Sequence, residues 1–362
     1  MPHQERVPAS VRAQEIVVAL LARAPTRLRK AMAGPDIVVE GQELAVDARL
    51  LIRSQRGESV LVVDDSPTAS RATLDRNAPV LRAGRRPNSR VRTRELTVAG
   101  GLAATLYEPA TSAAPSGLLV FFHGGGWVIG SRSGYDHVTR YVAERSGHRV
   151  LSVDYRLAPE DPFPAGVQDA LAAFDDAVAR AGELDVDPER IVLGGDSAGA
   201  TLAAVAARQA AERDGGPLPA GRWLLYPATD LAGRHPSRTT FGRGFLLTDA
   251  DIGWFQDRYL PAGIDRTDPR VSVLYGEIDP RTAPVHLVTA GFDPLRDEGE
   301  AYAARLRSAG IGVTAVREPD LPHGFLPFLH LGPRFEQAVA AGVDALSRML
   351  AQPRSATHGV TD

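Results

Sequence analysis

An α/β fold, with a mostly parallel central sheet covered by helices on both faces, is what this sequence predicts, and three observations predict it. From Leu118 onward short apolar runs alternate with amphipathic helical patterns. An antiparallel hairpin precedes them, because Val91 to Val98 and Leu102 to Tyr107 alternate in polarity and are joined by Gly100-Gly101. Finally, Ile191-Val192-Leu193-Gly194-Gly195-Asp196-Ser197-Ala198-Gly199 reads as a buried strand that reverses at once into an alanine-rich helix, Ala198 to Glu212.

In chain order, residues 1 to 90 form a helical arm, with helical patterns around Val11 to Ala22, Leu44 to Ser54 and Pro67 to Leu81 and little strand signal. Pro8, Pro25, Pro35, Pro67 and Pro79 interrupt it, and it has too few large apolar residues for its own core, so it is expected to lie on the rest of the chain. Residues 91–352 make the main domain. Its strand and helix pairs are Leu118 to Phe122 with Tyr135 to Arg145, Arg149 to Val153 with Ala165 to Arg180, and Ile191 to Leu193 with the helix from Ala198. Three more strands are expected at Trp223 to Tyr226, Val285 to Thr289 and Val313 to Val316, with helices near Glu298 to Ser308 and Arg334 to Leu350. Between about 230 and 280 the alternation breaks. There Thr248 caps a helix that runs to Leu260 and carries Trp254, Phe255 and Tyr259, which makes a candidate lid. Residues 353–362 read as a flexible tail.

Composition excludes several chemistries. The chain has 362 residues and no cysteine, which removes disulfides, thiol catalysis and thiolate zinc sites. Of 41 basic residues only Lys30 is a lysine, so no phosphate loop ending in Gly-Lys-Ser/Thr can be drawn. Neighbouring histidines are never three or four residues apart, and no metal or organic cofactor is expected. A net charge of −3 gives no global attraction to nucleic acid or to an anionic membrane and fits a small neutral substrate best. The apolar run Ile16 to Ala22 follows Glu15 and is too short for a signal core, so a cytoplasmic protein without stable membrane insertion is expected. A monomer and a homodimer both remain open.

Ser197 stands at the corner where strand becomes helix. A chain reversing so sharply strains its corner residue and leaves no room for a Cβ two positions away on either side, a demand that Gly195 and Gly199 meet. The turn exposes the serine hydroxyl and aims the first amides of the helix at any oxyanion beside it. A five-residue pattern of this kind is weak evidence alone. Phe121-Phe122-His123-Gly124-Gly125-Gly126-Trp127, at another strand end, adds unobstructed backbone amides of the sort an acyl-transfer site needs. A dinucleotide loop fits poorly, since Gly130 comes one residue late for that fingerprint.

Taken together, His123 to Trp127 (HGGGW), Asp154 to Glu160 (DYRLAPE), Gly195 to Gly199 (GDSAG), Asp293 to Gly299 (DPLRDEG) and His323-Gly324-Phe325 resemble, in order, the bacterial esterases related to hormone-sensitive lipase on the α/β-hydrolase fold. Ala200 departs from the pattern, where a third glycine is common. The resemblance implies Ser197 as nucleophile, His323 as general base and Asp293 as its orienting acid, with Asp297 the alternative acid. It also implies an oxyanion hole from the amides of Gly124, Gly125 and Ala198. Trp127, Phe245, Trp254 and Phe325 are candidates for substrate contact. The expected activity is serine-dependent hydrolysis of short- to medium-chain esters of small molecules, with amide or thioester hydrolysis as the alternative. A receptor of the same fold, like the plant gibberellin receptors, keeps the glycine loop and loses the histidine, and His323 argues against it.

Overall fold

The computed structural model describes residues 9–54, 61–62, 65–85 and 89–353. The arm contributes helices α1 (Ala9–Arg23), α2 (Thr26–Ala33), α3 (Val46–Ser54) and α4 (Pro67–Leu81), with a two-stranded ribbon of β1 (Val38–Val39) and β2 (Gln42–Glu43) after α2. The main body follows as β3 (Val91–Val98), β4 (Leu102–Pro109), β5 (Ser116–Phe122), α5 (Asp136–Ser146), β6 (Arg149–Val153), α6 (Ala165–Ala179), β7 (Val186–Asp196), α7 (Ala198–Glu212) and β8 (Gly221–Leu225). Then come α8 (Pro236–Thr240), α9 (Asp249–Tyr259), β9 (Val285–Phe292), α10 (Arg296–Ser308), β10 (Val313–Pro322) and α11 (Pro333–Ala351). The tail from residue 354 lies outside the described residues.

Strands β3 to β10 form one eight-stranded sheet in the order β10-β9-β8-β7-β5-β6-β4-β3. The hairpin β3-β4 and the β4-β6 pair are antiparallel, and every other pair is parallel. β5 shows why such a sheet needs helices on both sides: all its residues are buried, with Leu118, Val120 and Phe122 in one core and Leu119 and Phe121 in the other. The first core also takes α6, α7 and α10, and the second takes α5 and α11. Because β5, β7, β8, β9 and β10 run parallel, their carboxyl ends share one edge, which is where ligands of such sheets bind.

Several elements are longer than their sequence signal. β7 starts at Val186, ahead of the polar Asp187-Pro188-Glu189-Arg190 that masks it, and β9 continues through Ala290-Gly291, which lack β-branching. β10 extends from the expected Val316 to Pro322 and so delivers His323 directly to the sheet edge. Helix α2 and the β1-β2 ribbon were not apparent as elements of the arm, because α2 is a short, cation-rich segment and each ribbon strand has two residues.

The arm lies on the body. α1 packs on α4, α3 packs on α2 and α11, and β2 meets β10. Arg71 of α4 is the most extensively bonded of the anchors. Its guanidinium donates to Val128 O (2.7 Å) and Ala158 O (2.7 Å) and grips Glu160 through both carboxylate oxygens at 2.9 and 2.7 Å. Arg296 also reaches Glu40 at 2.9 Å, and the Arg334 amide donates to Asp47 at 2.9 Å.

Candidate active site

Ser197 takes φ 52° and ψ −122°, a left-handed backbone that a non-glycine residue adopts only when its surroundings compel it. The surroundings are the register of β7 against its neighbours. The serine amide donates to Leu225 O at 2.9 Å, and a Cβ at Gly199 would stand 2.0 Å from Phe122 O. The corner can therefore turn only with glycine there, and it leaves Oγ facing the sheet edge.

His323 follows β10, and its Nε2 lies 2.9 Å from Ser197 Oγ. On the other side of the ring, Nδ1 lies 2.8 Å from Asp293 Oδ2, just past the end of β9. Asp293 is fully buried, and its second oxygen accepts from the Leu295 amide at 2.7 Å, so the carboxylate cannot rotate away. Tyr226 packs edge-on to the imidazole at 4.8 Å, and its hydroxyl accepts from the Leu326 amide at 3.0 Å, which fixes the loop carrying His323. Asp297 is elsewhere: it accepts from the Ser237 amide at 2.8 Å and pairs with Arg296 at 2.8 Å. Three strand ends thus bring Ser197, His323 and Asp293 into one hydrogen-bonded line, and Asp297 is outside it.

The glycine loop departs from expectation at one position. The Gly124 amide donates to Asp196 Oδ1 at 2.8 Å and is not free to meet an oxyanion. The amides of Gly125, Gly126 and Ala198 have no acceptor among the described residues, and all three residues line the same cavity as Ser197. Gly126 replaces Gly124 in the set of available donors. Gly125 sits at φ +121°, and a Cβ there would lie 2.1 Å from Ile129 O. Asp196 is the residue that sequence reasoning missed, although it stands inside the quoted GDSAG segment. Besides Gly124 it accepts from Tyr135 (3.0 Å) and Tyr226 (3.3 Å), tying the glycine loop to the serine corner. Burial pushes its carboxyl up to about 6 against the pull of these hydrogen bonds. His123 is buried, stacks on Tyr155 at 4.6 Å and is held toward its neutral form by desolvation, which gives it a supporting place.

A cavity of about 550 Å³ opens above Ser197. Trp127 lines it while stacking on Tyr259 of α9 at 4.3 Å. The other three candidates for substrate contact do not line it. Phe245 packs half-buried against Phe241 and Phe292, and Phe325 is buried against Tyr226 at 5.0 Å. Trp254 points to the arm, with its indole donating to Asp65 and Arg258 lying 4.0 Å over its ring. Their neighbours Leu246, Leu247 and Phe255 form the wall. Helical spacing carries that signal: Ile252, Phe255 and Gln256 share the inner face of α9 at i, i+3 and i+4, and Trp254 falls out of step. The capping box that starts α9 is the one expected, with Thr248 Oγ accepting from the Asp251 amide at 3.1 Å. From the arm, Val18, Leu51, Leu74, Val80 and Leu81 complete the lining.

Comparison with known proteins agrees with this architecture. A family model described as alpha/beta hydrolase fold matches residues 119–327. Carboxylic ester hydrolase LipN of Mycobacterium tuberculosis is 42% identical over 326 residues, covering 87% of this chain and 86% of its own. Ethyl acetate hydrolase of Pseudomonas putida is 35% identical over 251 residues, covering 69% of this chain and 79% of its own. Among solved structures, an ester hydrolase from the metagenome of Lake Arreo superposes with a TM-score of 0.79 at 33% identity, covering 85% of this chain and all of that one. The chain belongs to the α/β-hydrolase family of esterases related to hormone-sensitive lipase. Within that class it is a carboxylic ester hydrolase.

Proposed function

We propose that the enzyme works through an acyl-enzyme formed on Ser197 and prefers small esters of short to medium acyl chain. The observation that carries the mechanism is the unbroken line from Ser197 Oγ through His323 to Asp293, beside unclaimed amides in one cavity. A serine hydroxyl is a poor nucleophile at neutral pH, so His323 Nε2 takes its proton as Oγ attacks the ester carbonyl. Asp293 keeps the remaining ring proton on Nδ1 and stabilises the imidazolium. The carbonyl oxygen, now negative, is received by the amides of Gly125, Gly126 and Ala198. His323 then gives its proton to the leaving alcohol, and water repeats the cycle to release the acid.

The chain-length preference rests on the arm. Its side chains and those of α9 roof a cavity sized for a small ligand, not for a long triglyceride. An amidase or thioesterase would use the same groups, but nothing in the site favours a less reactive amide. No helix among the described residues is long and apolar enough to cross a membrane. We further propose a cytoplasmic enzyme, a reading that fractionation of the source cells with an activity assay would test. The test is a series of p-nitrophenyl esters of increasing acyl length under rapid mixing. A burst of p-nitrophenol equal to the enzyme concentration, with rates peaking at short to medium chains, is expected. Single-phase kinetics with no Ser197-bound acyl group by mass spectrometry under conditions of limiting deacylation, or highest rates on the longest chains, would overturn the corresponding part.

A further inference from the structure

The cavity wall is chiefly apolar, yet one of its members carries a permanent charge. Arg238 of α8 lines the cavity with its side chain only 11% exposed. Its segment is fixed to the strand edge. Ser237 donates through its amide to Asp297 (2.8 Å) and through Oγ to Pro294 O (2.9 Å), the residue after Asp293. Arg238 Nε donates to Asp249 Oδ1 at 2.6 Å, and neither Nη has an acceptor among the described residues. A guanidinium has five N–H donors, so four of this one remain for water or for a ligand that enters the cavity.

Its charge is only partly compensated. Asp249 is shared with Arg234 at 2.9 Å, so one carboxylate serves two guanidiniums. The other acids of the wall are committed elsewhere. Asp230 accepts from the amides of Ala232 and Gly233, from Tyr275, and pairs with His235. Asp75 accepts from Ser131, and Asp196 holds Gly124 and two tyrosines. Glu298 accepts from the amides of Thr229 (2.8 Å) and Asp230 (3.2 Å), and burial favours its neutral form.

We propose that Arg238 is a specificity-determining residue that receives a carboxylate carried by the substrate away from its scissile bond. The preferred esters are then half-esters of dicarboxylic acids or O-acylated hydroxy acids. The inference rests on ester hydrolysis at Ser197 and names its substrate class. A carboxylate can take paired N–H bonds from the free Nη edge, whereas an alkyl chain leaves those donors unpaired in the same space. A site built to be hydrogen-bonded rejects a partner that cannot do so, by ~10-fold or much more. The overall charge of −3 does not oppose this, because the Arg234, Arg238 and Asp249 cluster carries one net positive charge and the carboxylates of Asp75, Asp196 and Asp230 are each held by their own hydrogen-bond donors.

Two pairs of isosteres test it on the full-length enzyme: monoethyl adipate against ethyl hexanoate, with the anion in the acyl part, and 6-acetoxyhexanoate against hexyl acetate, with the anion in the alcohol part. The wild type is expected to favour the anionic member of one pair by ~10-fold or more in kcat/KM, and the pair that shows it tells which side faces Arg238. Arg238→Leu should reduce that ratio at least ~10-fold, and Arg238→Lys should retain part of it. A wild-type preference for the neutral member of both pairs overturns the inference whether or not the variants fold. So does a ratio unchanged by Arg238→Leu. If all four esters are inert, the reading of ester hydrolysis at Ser197 fails instead.

Discussion

At the carboxyl edge of the sheet, Ser197, Asp293 and His323 are placed by backbone whose register the parallel strands set. The cavity walls above them are made differently: the arm and the 230–280 insertion reach the site from distant parts of the chain and stay there by side-chain contacts such as Arg71 on Glu160 and Trp254 on Asp65. The edge tolerates almost no change of geometry, because a left-handed serine and glycines against backbone leave nothing to relax. The walls can be repacked one side chain at a time. Chemistry therefore belongs to the sheet, and selectivity to what is laid over it.

The largest effects are expected at the edge. Ser197→Ala and His323→Ala should each lower kcat by roughly 10⁴ to 10⁶-fold with melting curves intact, and Asp293→Asn by about 10⁴. Asp297→Asn should cost under about 10-fold, since its carboxylate serves Ser237 and Arg296. Steady-state kinetics on a short p-nitrophenyl ester check all four. A loss at Asp297 matching that at Asp293 would move the acid, and with it the claim that strand ends alone define the chemistry.

How much of this was legible follows from the same division. Local signals such as the alternation of β3 and β4, the GDSAG corner and the cap at Thr248 depend on near neighbours in the chain, so the fold and the reacting groups could be read. The use of Gly124 could not, because its amide is claimed by Asp196, a partner that only the pairing of β5 with β7 brings close. Phe245, Trp254 and Phe325 misled for a related reason. A large aromatic residue beside a motif shows that something is buried, not which face it turns to, and here the faces belong to the core and the arm.

Between edge and wall stands Glu298, whose carboxyl burial pushes from its ordinary 4.5 up to about 8, with Asp230 and Asp293 adding to the effect. A carboxyl with a raised folded pKa binds an extra proton on folding, so stability should fall as pH rises from about 4.5 through about 8 and stay low above it. Glu298→Gln keeps an oxygen to accept from Thr229 and Asp230 and has no proton to lose. Urea unfolding should find the variant close to wild type at pH 5 and more stable by about 2 to 4 kcal/mol at pH 8. Parallel pH profiles for the two proteins would mean that Glu298 is solvated and that the wall is wetter than its contacts imply.

A smaller loss is expected at the arm. Arg71→Ala removes the grip on Glu160 and leaves the carbonyls of Val128 and Ala158 without that donor, at a cost of about 1 to 3 kcal/mol. Because α3 and β2 pack on the body and α4 is hydrogen-bonded to it, one cooperative thermal transition should shift as a whole. An early, separate transition would instead make the arm a loosely held unit, and its place in the cavity wall would then be only partly occupied in solution.

The smallest predicted effect separates two adjacent residues. Phe255 is buried, lines the cavity, and stands against the glycine loop closely enough that a Cβ at Gly126 would meet its ring at 2.2 Å. Trp254 turns the other way, to Asp65 and Arg258. Phe255→Ala should open space beside the scissile bond, so the optimum acyl length should move upward, with the rate on longer chains rising about 3- to 10-fold relative to acetate. Trp254→Ala should leave the chain-length profile within about 2-fold at every length and lower the melting temperature by a few degrees through lost packing with the arm. If Trp254→Ala reshaped the profile and Phe255→Ala did not, the inner face of α9 in solution would be the one now assigned to the arm. The helix would have to turn by about 100° to exchange them, the angle between neighbouring residues on an α-helix, which gives this last comparison its resolving power.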